Sequence, residues 1–468
     1  GGQFYRNLWH NTRSTGEGLI PGGESVSFGT TTSAGETTEE TRTVGTYLEQ
    51  AVSFGDRMFL AASLRGDDNS SLGKDFDFVL YPKMSASWEV SKEGFFPGWD
   101  AVDNVRLRAA WGRAGIQPRV TDALLTYDLF PVVVDGEPEL GARVSTAGDP
   151  GLRPERSSEL EMGTDLEMFG GRLGATVTYY RKRTEDALAF RALPPSLGVA
   201  RSRRENIGVV SNRGWEFDLA VVPSSGEDVN LVFSANVSFN RNRIEEICAT
   251  RENGSCDASP IRVGSFNWHR AGYEPGAFWD VPILGHNDLD GDGFVDRGEV
   301  LTGDTAVYFG PSQPTRLVNV TAQLTLFRRL TLAALVDHQG GHVQYNFTGV
   351  FKCLGYACRP AIDPATSNAD QLSAVAARER IQSAFIEPAW FVRLRELSLS
   401  LRFPDAWADR MGAEGLSVTL AGRNLARFDD YRGLDPETNS QGQAAFDTLD
   451  LAGFPPNRYW TGKIGVTF

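Results

Sequence analysis

The chain has 468 residues and a formal net charge of −14, because 60 Asp and Glu outnumber 46 Lys and Arg. This acid excess excludes nucleic acid as the main partner, since neutralising phosphates requires concentrated Lys and Arg. Apolar residues make up 41% of the chain, which excludes a disordered polypeptide, and no apolar run approaches the roughly 18 residues that a transmembrane helix requires. A transmembrane β-barrel fits this composition, because its lipid-facing residues occupy only every second position.

Alternation of apolar and polar residues with a period of two recurs along the whole chain and predicts an all-β fold. In the segment 231–239, for example, Leu231, Phe233 and Val237 alternate with serines and an asparagine. The predicted strands, in chain order, span 2–9, 43–54, 57–65, 80–91, 103–113, 157–168, 172–182, 208–222, 229–241, 316–327, 330–340, 388–402, 415–425 and 457–468. We therefore expect an antiparallel arrangement of about 14 strands.

The connections between these strands alternate between long and short. The long ones are predicted at 10–42, 66–79, 114–156, 183–207, 242–315, 341–387 and 426–456. Within the first of them, the low-complexity segment 31–40 is expected to be a solvated loop. A soluble β-sandwich has no reason to segregate its connections by length, whereas outer-membrane barrels have short periplasmic turns and long extracellular loops. The sequence thus predicts a transmembrane antiparallel β-barrel over residues 1–468, with 242–315 as a long extracellular loop.

One predicted strand supports this orientation. The odd positions from Phe391 to Phe403 place apolar residues on one face, with Arg393 and Arg395 at the outer end. An outward arginine costs a few kcal/mol at the bilayer midplane and little above the lipid. We expect this strand to extend beyond the membrane with its charges there; the alternative is that both arginines pair within the sheet.

The segment 288–299 has the spacing of an EF-hand calcium loop. The predicted ligands are the carboxylates of Asp288, Asp290, Asp292, Asp296 and Glu299 and the backbone carbonyl of Phe294. Gly293 permits the tight turn, and a hard cation prefers six to eight oxygen ligands. The flanking residues predict loop rather than helix, so we expect a Ca²⁺ loop without the usual helix pair, holding the long loop 242–315 in shape. The alternative is a solvated acidic turn.

The four cysteines form two close pairs, Cys248 with Cys256 and Cys353 with Cys358. Neither pair has the C-x-x-C spacing or a clustered histidine that a metal or redox site would use. Local disulfides in an oxidising compartment are therefore the favoured interpretation.

No catalytic motif is present, so we do not expect an enzyme. The nearest approach to a further metal cluster is Asp337, His338 and His342, for which a polar strand end is the simpler interpretation. Six aromatic residues could stack on sugars, although aromatics at strand ends more often mark the membrane interface. They are Tyr47, Trp99, Trp268, Tyr273, Trp279 and Tyr345.

Several segments resemble the barrel of SusC/RagA-type TonB-dependent transporters. They are Leu-Arg-Pro-Glu-Arg-Ser-Ser-Glu-Leu-Glu-Met-Gly at 152–163, Gly-Arg-Leu at 171–173, Tyr-Tyr-Arg-Lys-Arg-Thr-Glu-Asp at 179–186, Asn-Ile-Gly-Val-Val-Ser-Asn-Arg-Gly-Trp-Glu-Phe at 206–217, Glu-Pro-Ala-Trp-Phe-Val-Arg-Leu-Arg-Glu-Leu-Ser-Leu-Ser at 387–400, Gly-Arg-Asn-Leu at 422–425 and Tyr-Arg-Gly-Leu-Asp-Pro-Glu at 431–437. The acidic loop at 288–299, followed by Gly-Asp at 303–304 and Gly-Pro-Ser-Gln-Pro at 310–314, also resembles a feature of this family. The similarity runs from about residue 43 to the end, in the expected order.

This resemblance implies a bacterial outer-membrane barrel of about 22 strands with an N-terminal plug, opened by TonB and covered by a SusD-like lipoprotein. Such pairs import oligosaccharides or peptides. Since about 14 strands and neither a plug nor a TonB-binding segment are recognisable, we interpret residues 1–468 as the C-terminal portion of such a barrel. Two alternatives stay open: a passive 14-stranded channel, and a secreted calcium-binding β-protein used for adhesion or glycan binding.

Overall fold

Consecutive strands joined by short turns pair with each other because each must satisfy its backbone N–H and C=O groups. The computed structural model of the chain describes residues 1–70, 78–119, 122–149, 151–193, 202–250, 256–363, 365–442 and 445–468. It contains one sheet of 14 strands, all antiparallel to their neighbours, whose order in the sheet is their order in the chain. The predicted strand number and fold class are confirmed.

The strands of this sheet are numbered along the chain. They are β1 (Gly2–Leu19), β2 (Gly29–Phe54), β3 (Met58–Asn69), β4 (Val79–Glu89), β5 (Val102–Ile116), β6 (Glu155–Met168), β7 (Leu173–Glu185), β8 (Gly208–Ser225), β9 (Val229–Ile247), β10 (Arg316–Leu326), β11 (Leu330–Gly340), β12 (Phe391–Arg402), β13 (Gly415–Asp429) and β14 (Tyr459–Thr467). Because β9 extends to Ile247, the connection predicted at 242–315 covers residues 248–315.

The first connection departs from the prediction. β1 pairs with β2 residue by residue, from Gly2 opposite Thr46 to Leu19 opposite Gly29, so the segment 31–40 is strand and not a solvated loop. Its side chains are polar on both faces, which hides the period of two, while its threonines favour the extended backbone. β3 joins β2 only from Thr43 onward, so the outer half of the hairpin is a two-stranded ribbon.

The two edges of the sheet are not joined. Among the described residues, β1 pairs only with β2 and β14 pairs only with β13. Over the described residues the 14 strands therefore form an open sheet.

The two faces of the sheet differ in chemistry. On one face, side chains such as Phe233, Leu332 and Leu399 are 40 to 44% exposed. The other face carries charged and amide side chains, among them Arg106 and Asp165, whose ion pair spans β5 and β6 at 2.7 Å. No helix in the described ranges is long and apolar enough to cross a membrane.

Because neighbouring strands are antiparallel, the long connections all leave the same end of the sheet, and those after β5, β7, β9 and β11 contain further elements. Short strands pair as Leu125–Val134 with Glu137–Ala147, Leu188–Ala192 with Ser202–Asn206, Ala249–Thr250 with Cys256–Asp257, Ile283–His286 with Val300–Thr302 and Val343–Tyr345 with Ile386–Pro388. A four-stranded sheet contains Ile261–Arg262, Asn267–His269, Ala277–Asp280 and Val307–Gly310. The helices are α1 (Phe347–Leu354) and α2 (Asn368–Arg378) in one long connection and α3 (Asp405–Asp409) in a short one, with short 3-10 turns at Val26–Phe28, Val90–Lys92, Arg359–Ala361 and Gln382–Phe385.

Among the described residues, the largest hydrophobic core lies in these connections and not in the sheet. It joins residues from three of them, the β9–β10, β11–β12 and β13–β14 connections, which together we call the loop cap. Phe278, Tyr345, Val350 and Leu449 are each at most 4% exposed within it. Because these residues come from distant parts of the sequence, the loop cap is a folded body rather than a set of separate loops.

Candidate functional site

The predicted calcium loop has the local geometry of a cation site. Carboxylate oxygens of Asp288, Asp290 and Asp292 lie within 4.8 Å of one another and all three side chains are exposed. Two oxygens that each bind one Ca²⁺ at about 2.4 Å can lie at most about 4.8 Å apart, so this group fits the ion. Positive φ angles at Gly291 (77°) and Gly293 (82°) produce the turn that brings the carboxylates together.

The other predicted ligands occupy different places. Glu299 is 4% exposed, and its carboxylate accepts hydrogen bonds from the backbone N–H of Leu289 at 2.7 Å and Asp296 at 2.8 Å. Glu299 therefore closes the loop by joining its two ends, while Asp296 and Phe294 are exposed beside the three aspartates. In the described range 283–302, strands flank the loop directly: Ile283–His286 and Val300–Thr302 pair on either side of it.

A helix from another connection supports the loop. The N–H of Val295 donates to Gln371 Oε1 of α2 at 3.2 Å, and the N–H of Gly298 donates to Glu379 Oε1 just beyond α2 at 2.5 Å. Val295 and Gln371 are 4% and 5% exposed. The backbone of the calcium loop is thus fixed by side chains about 80 positions later in the chain.

A buried ion-pair network joins the loop cap to the sheet. Arg393, 2% exposed, donates to both carboxylate oxygens of Asp435 at 2.8 Å and lies 3.3 Å from Glu437. Glu437 also pairs with Arg395, which reaches Asp337 on β11 at 2.7 Å. Both arginines are therefore paired, and the last long connection is held against β11 and β12 by charge.

The register of β12 against β11 changes the face on which its first residues lie. Leu335 pairs with Glu396 whereas Val336 pairs with Leu394, so Arg395 is an extra residue in the strand. A β-bulge of this kind exchanges the faces on either side of it. Phe391 and Arg393 consequently do not share the face of the later leucines, and the prediction that all odd positions face one way is wrong.

The structure brings together three of the six aromatic residues singled out in the sequence. Trp268 and Trp279 lie on neighbouring strands of the four-stranded sheet and Tyr273 lies in the turn between these strands, with ring centres of Tyr273 and Trp279 4.7 Å apart. Tyr345 instead lies in the hydrophobic core at 1% exposure. Tyr47 on β2 and Trp99 near the opposite end of the sheet stand apart from this group.

The residues considered as a second metal cluster have other partners. Asp337 pairs with Arg395, and His338 Nδ1 lies 2.7 Å from the carbonyl oxygen of Phe391. Burial, reinforced by the nearby His338, lowers the pKa of His342 to about 4, so this imidazole is neutral at pH 7. In the described ranges, the three aspartates of the calcium loop are the only group of three or more His, Cys, Asp or Glu side chains that converge closely enough to hold a metal ion.

The cysteines lie in the long connections. Cys353 of α1 is bonded to Cys358. Cys248, just after β9, is disulfide-bonded, while the side chain of Cys256 lies outside the described residues.

Sequence reasoning did not identify α2, although a signal exists. Ser367 caps the helix by accepting a hydrogen bond from the N–H of Asp370 at 3.2 Å, and the following turns are rich in alanine. A serine followed three residues later by an acid, ahead of good helix formers, is typical of a helix start.

Comparison with known proteins shows which protein family this chain resembles. The family model described as TonB dependent receptor-like, beta-barrel matches residues 1–337. TonB-dependent receptor P3 of Formosa agariphila is 24% identical over 462 residues, covering 92% of this chain and 46% of the relative. TonB-dependent receptor SusC of Bacteroides thetaiotaomicron is 22% identical over 405 residues, covering 82% of this chain and 40% of the relative. The chain thus spans less than half the length of either relative.

A solved structure has the same fold. A chain of the RagAB peptide importer in its "closed-closed" state superposes with a TM-score of 0.80 at 20% sequence identity, covering 100% of this chain and 54% of that one. The predicted resemblance to SusC/RagA-type proteins is confirmed. Because the family model covers most of its length, the chain belongs to the TonB-dependent receptor-like β-barrel family, whose members lie in the bacterial outer membrane.

Proposed function

We propose that the protein imports oligosaccharides or peptides across the outer membrane by TonB-driven transport. In this proposal, residues 1–468 supply part of the barrel wall and the extracellular loop cap. The observation that carries this proposal is that three of the long connections, all at one end of the sheet, fold together into the loop cap. A folded cap on one rim provides a chamber wall for solutes that a smooth pore would not retain. A SusD-like lipoprotein is the proposed partner above the loop cap. The apolar face of the sheet is proposed to contact outer-membrane lipid.

Two further features support the proposal. The polar face of the sheet bears ion pairs such as Arg106–Asp165, which suit a water-filled or protein-filled interior. A similar fold occurs in a protein described as a peptide importer, and a relative carries the name SusC.

Uptake by cells tests this proposal. We expect deletion of the gene to abolish uptake of labelled oligosaccharides or of labelled peptides, and complementation to restore it. Inactivation of TonB should abolish uptake to the same extent, because the transport step requires energy from the inner membrane. Uptake that persists without TonB would contradict the proposal and favour a passive channel.

We also propose that the loop 288–299 binds one Ca²⁺ through Asp288, Asp290 and Asp292, with Phe294, Asp296 and Glu299 completing or supporting the site. The converging carboxylates and the tight turn support this assignment. When bound, the cation would offset two of the three adjacent negative charges, and Gln371 and Glu379 would hold the loop backbone in position.

Calcium titration tests the site directly. Asp290→Asn removes one charged ligand with little change in shape, so we expect affinity for Ca²⁺ to fall about tenfold or more in isothermal titration calorimetry. Asp304→Asn, an exposed acid outside the cluster, is the matched control and should leave the affinity unchanged. Equal binding by wild type and Asp290→Asn would contradict the assignment.

A further inference from the structure

A cluster of aromatic side chains and one arginine lies on the small four-stranded sheet of the loop cap. Trp279 and Tyr308 stand opposite each other on adjacent strands, and Tyr273 packs against both rings. Arg270 places its guanidinium carbon 4.0 Å from the centre of the Trp279 ring and 5.6 Å from that of Trp268. We call these five residues the aromatic cluster.

Arg270 lacks the partners that a half-buried guanidinium normally has. Its Nε is buried and has no hydrogen-bond acceptor, and in the described part of the chain no carboxylate pairs with it. Leaving charged N–H groups without acceptors is costly, and stacking on an indole satisfies only the face of the guanidinium. The buried Nε is out of reach of an outside anion, whereas the terminal N–H groups of Arg270 are not buried and are available to one.

The charges around the aromatic cluster do not cancel this cation. Glu274, the nearest acid along the chain, accepts a hydrogen bond from Tyr308 Oη at 2.8 Å. Arg262, 6.0 Å from the Trp268 ring, adds a second positive charge and donates to backbone carbonyls of Gly264 and Ser265. Arg262 and Arg270 together outnumber the single carboxylate of Glu274, so these three side chains carry one net positive charge on a chain whose net charge is −14.

The cluster also exposes flat apolar surface. Tyr273 and Tyr308 are 39% and 37% exposed, and Trp268 is half-buried. Open aromatic rings beside a cation suit a ligand that has both a ring with C–H groups and an acidic substituent. An acidic sugar combines the two in one residue, whereas an acidic peptide offers its carboxylates on flexible side chains.

We propose that the aromatic cluster binds an acidic oligosaccharide, with Arg270 holding a carboxylate or sulfate while the exposed tyrosines contact the sugar ring. This inference rests on the proposed uptake function and narrows its substrate class. Binding to the purified protein can be measured without transport, so failure of one does not entail failure of the other.

The experiment compares oligosaccharide affinities of the detergent-purified full protein. We expect an oligogalacturonide or a sulfated oligosaccharide to bind, and Arg270→Gln to weaken that binding by about 10- to 100-fold, because hydrogen bonds to charged groups are strong. Arg270→Lys, which keeps the charge but loses the planar fork, should fall between the two. Arg359→Gln removes the same charge from another long connection, where Arg359 pairs with Asp363, and should bind like wild type.

Three results would contradict binding of an acidic oligosaccharide by the aromatic cluster. Equal affinity of Arg270→Gln and wild type, or equal affinity for the oligogalacturonide and its carboxyl-reduced neutral form, would overturn the proposal. Binding of an acidic peptide that depends on Arg270, without binding of any acidic oligosaccharide, would replace the proposed ligand class. Tyr308→Ala gives a second test of the same site: it should weaken acidic oligosaccharides while leaving the Arg270 cation in place.

Discussion

Replacement of Arg393 by alanine is expected to release the β13–β14 connection from the sheet at a cost of about 3–5 kcal/mol. Arg393 and Asp435 have side chains that are each 3% exposed, and the guanidinium meets both carboxylate oxygens. Without it, the buried Asp435 keeps Arg427, at 2.8 Å, and the backbone N–H of Glu437, at 2.9 Å, while Glu437 keeps Arg395. Most of the expected cost is the penalty of leaving acidic groups buried with too few partners.

Hydrogen exchange and limited proteolysis of residues 430–458 would measure this release. The control is Arg423→Ala on β13, whose pair with Glu396 is largely exposed to solvent and is worth at most about 1 kcal/mol. If residues 430–458 were equally protected from exchange and proteolysis in both variants, the buried network would not be what holds this connection to the sheet.

Leu397→Arg is expected to destabilise the membrane-inserted protein by about 2–4 kcal/mol, the cost of a charge on the lipid face near the midplane. Leu397 is 39% exposed on the apolar face of β12, between Ala334 and Gly422 on the neighbouring strands. It lies about six residues from the turn at Phe403, which corresponds to roughly 14 Å of height for a strand tilted by about 45°. The lipid-facing band of such barrels is about 25 Å tall.

Urea unfolding from lipid vesicles, followed by tryptophan fluorescence, would measure the effect. Ser398→Arg introduces the same side chain one residue later, on the polar face, and should cost far less. If Ser398→Arg lowered the free energy of unfolding as much as Leu397→Arg does, the two faces of the sheet would not differ in their contact with lipid.

The strands of the 14-stranded sheet were predictable because each depends on the alternation of its own residues and on the short turn that follows it. β10 and β11 span the predicted residues to within one position, since each strand alternates strictly and a short turn joins them. The ribbon 31–40 was missed for the same reason: both of its faces are polar, so pairing with β1 is the only cause of its extended form. The face of Arg393 was misjudged because a single inserted residue, Arg395, is invisible to a period-two count.

The candidate sites were predictable in part. The spacing of Asp288, Asp290 and Asp292 identified a converging group because a tight loop brings residues two apart together. The contact between Val295 and Gln371 could not be foreseen, because it joins two connections separated by a strand hairpin. The aromatic cluster likewise depends on the register of short strands that carry too few residues to show any period.

The position of the hydrophobic core in the loop cap divides the molecule into two parts that resist unfolding by different means. The wall relies on continuous ladders of backbone hydrogen bonds and on surrounding lipid, whereas the cap relies on packed side chains such as Phe278 and Tyr345 and on salt bridges. Denaturants that weaken side-chain packing should therefore loosen the cap while the wall stays folded. Sequence change in the cap can correspondingly alter its packed core without altering the hydrogen-bonded ladders of the wall.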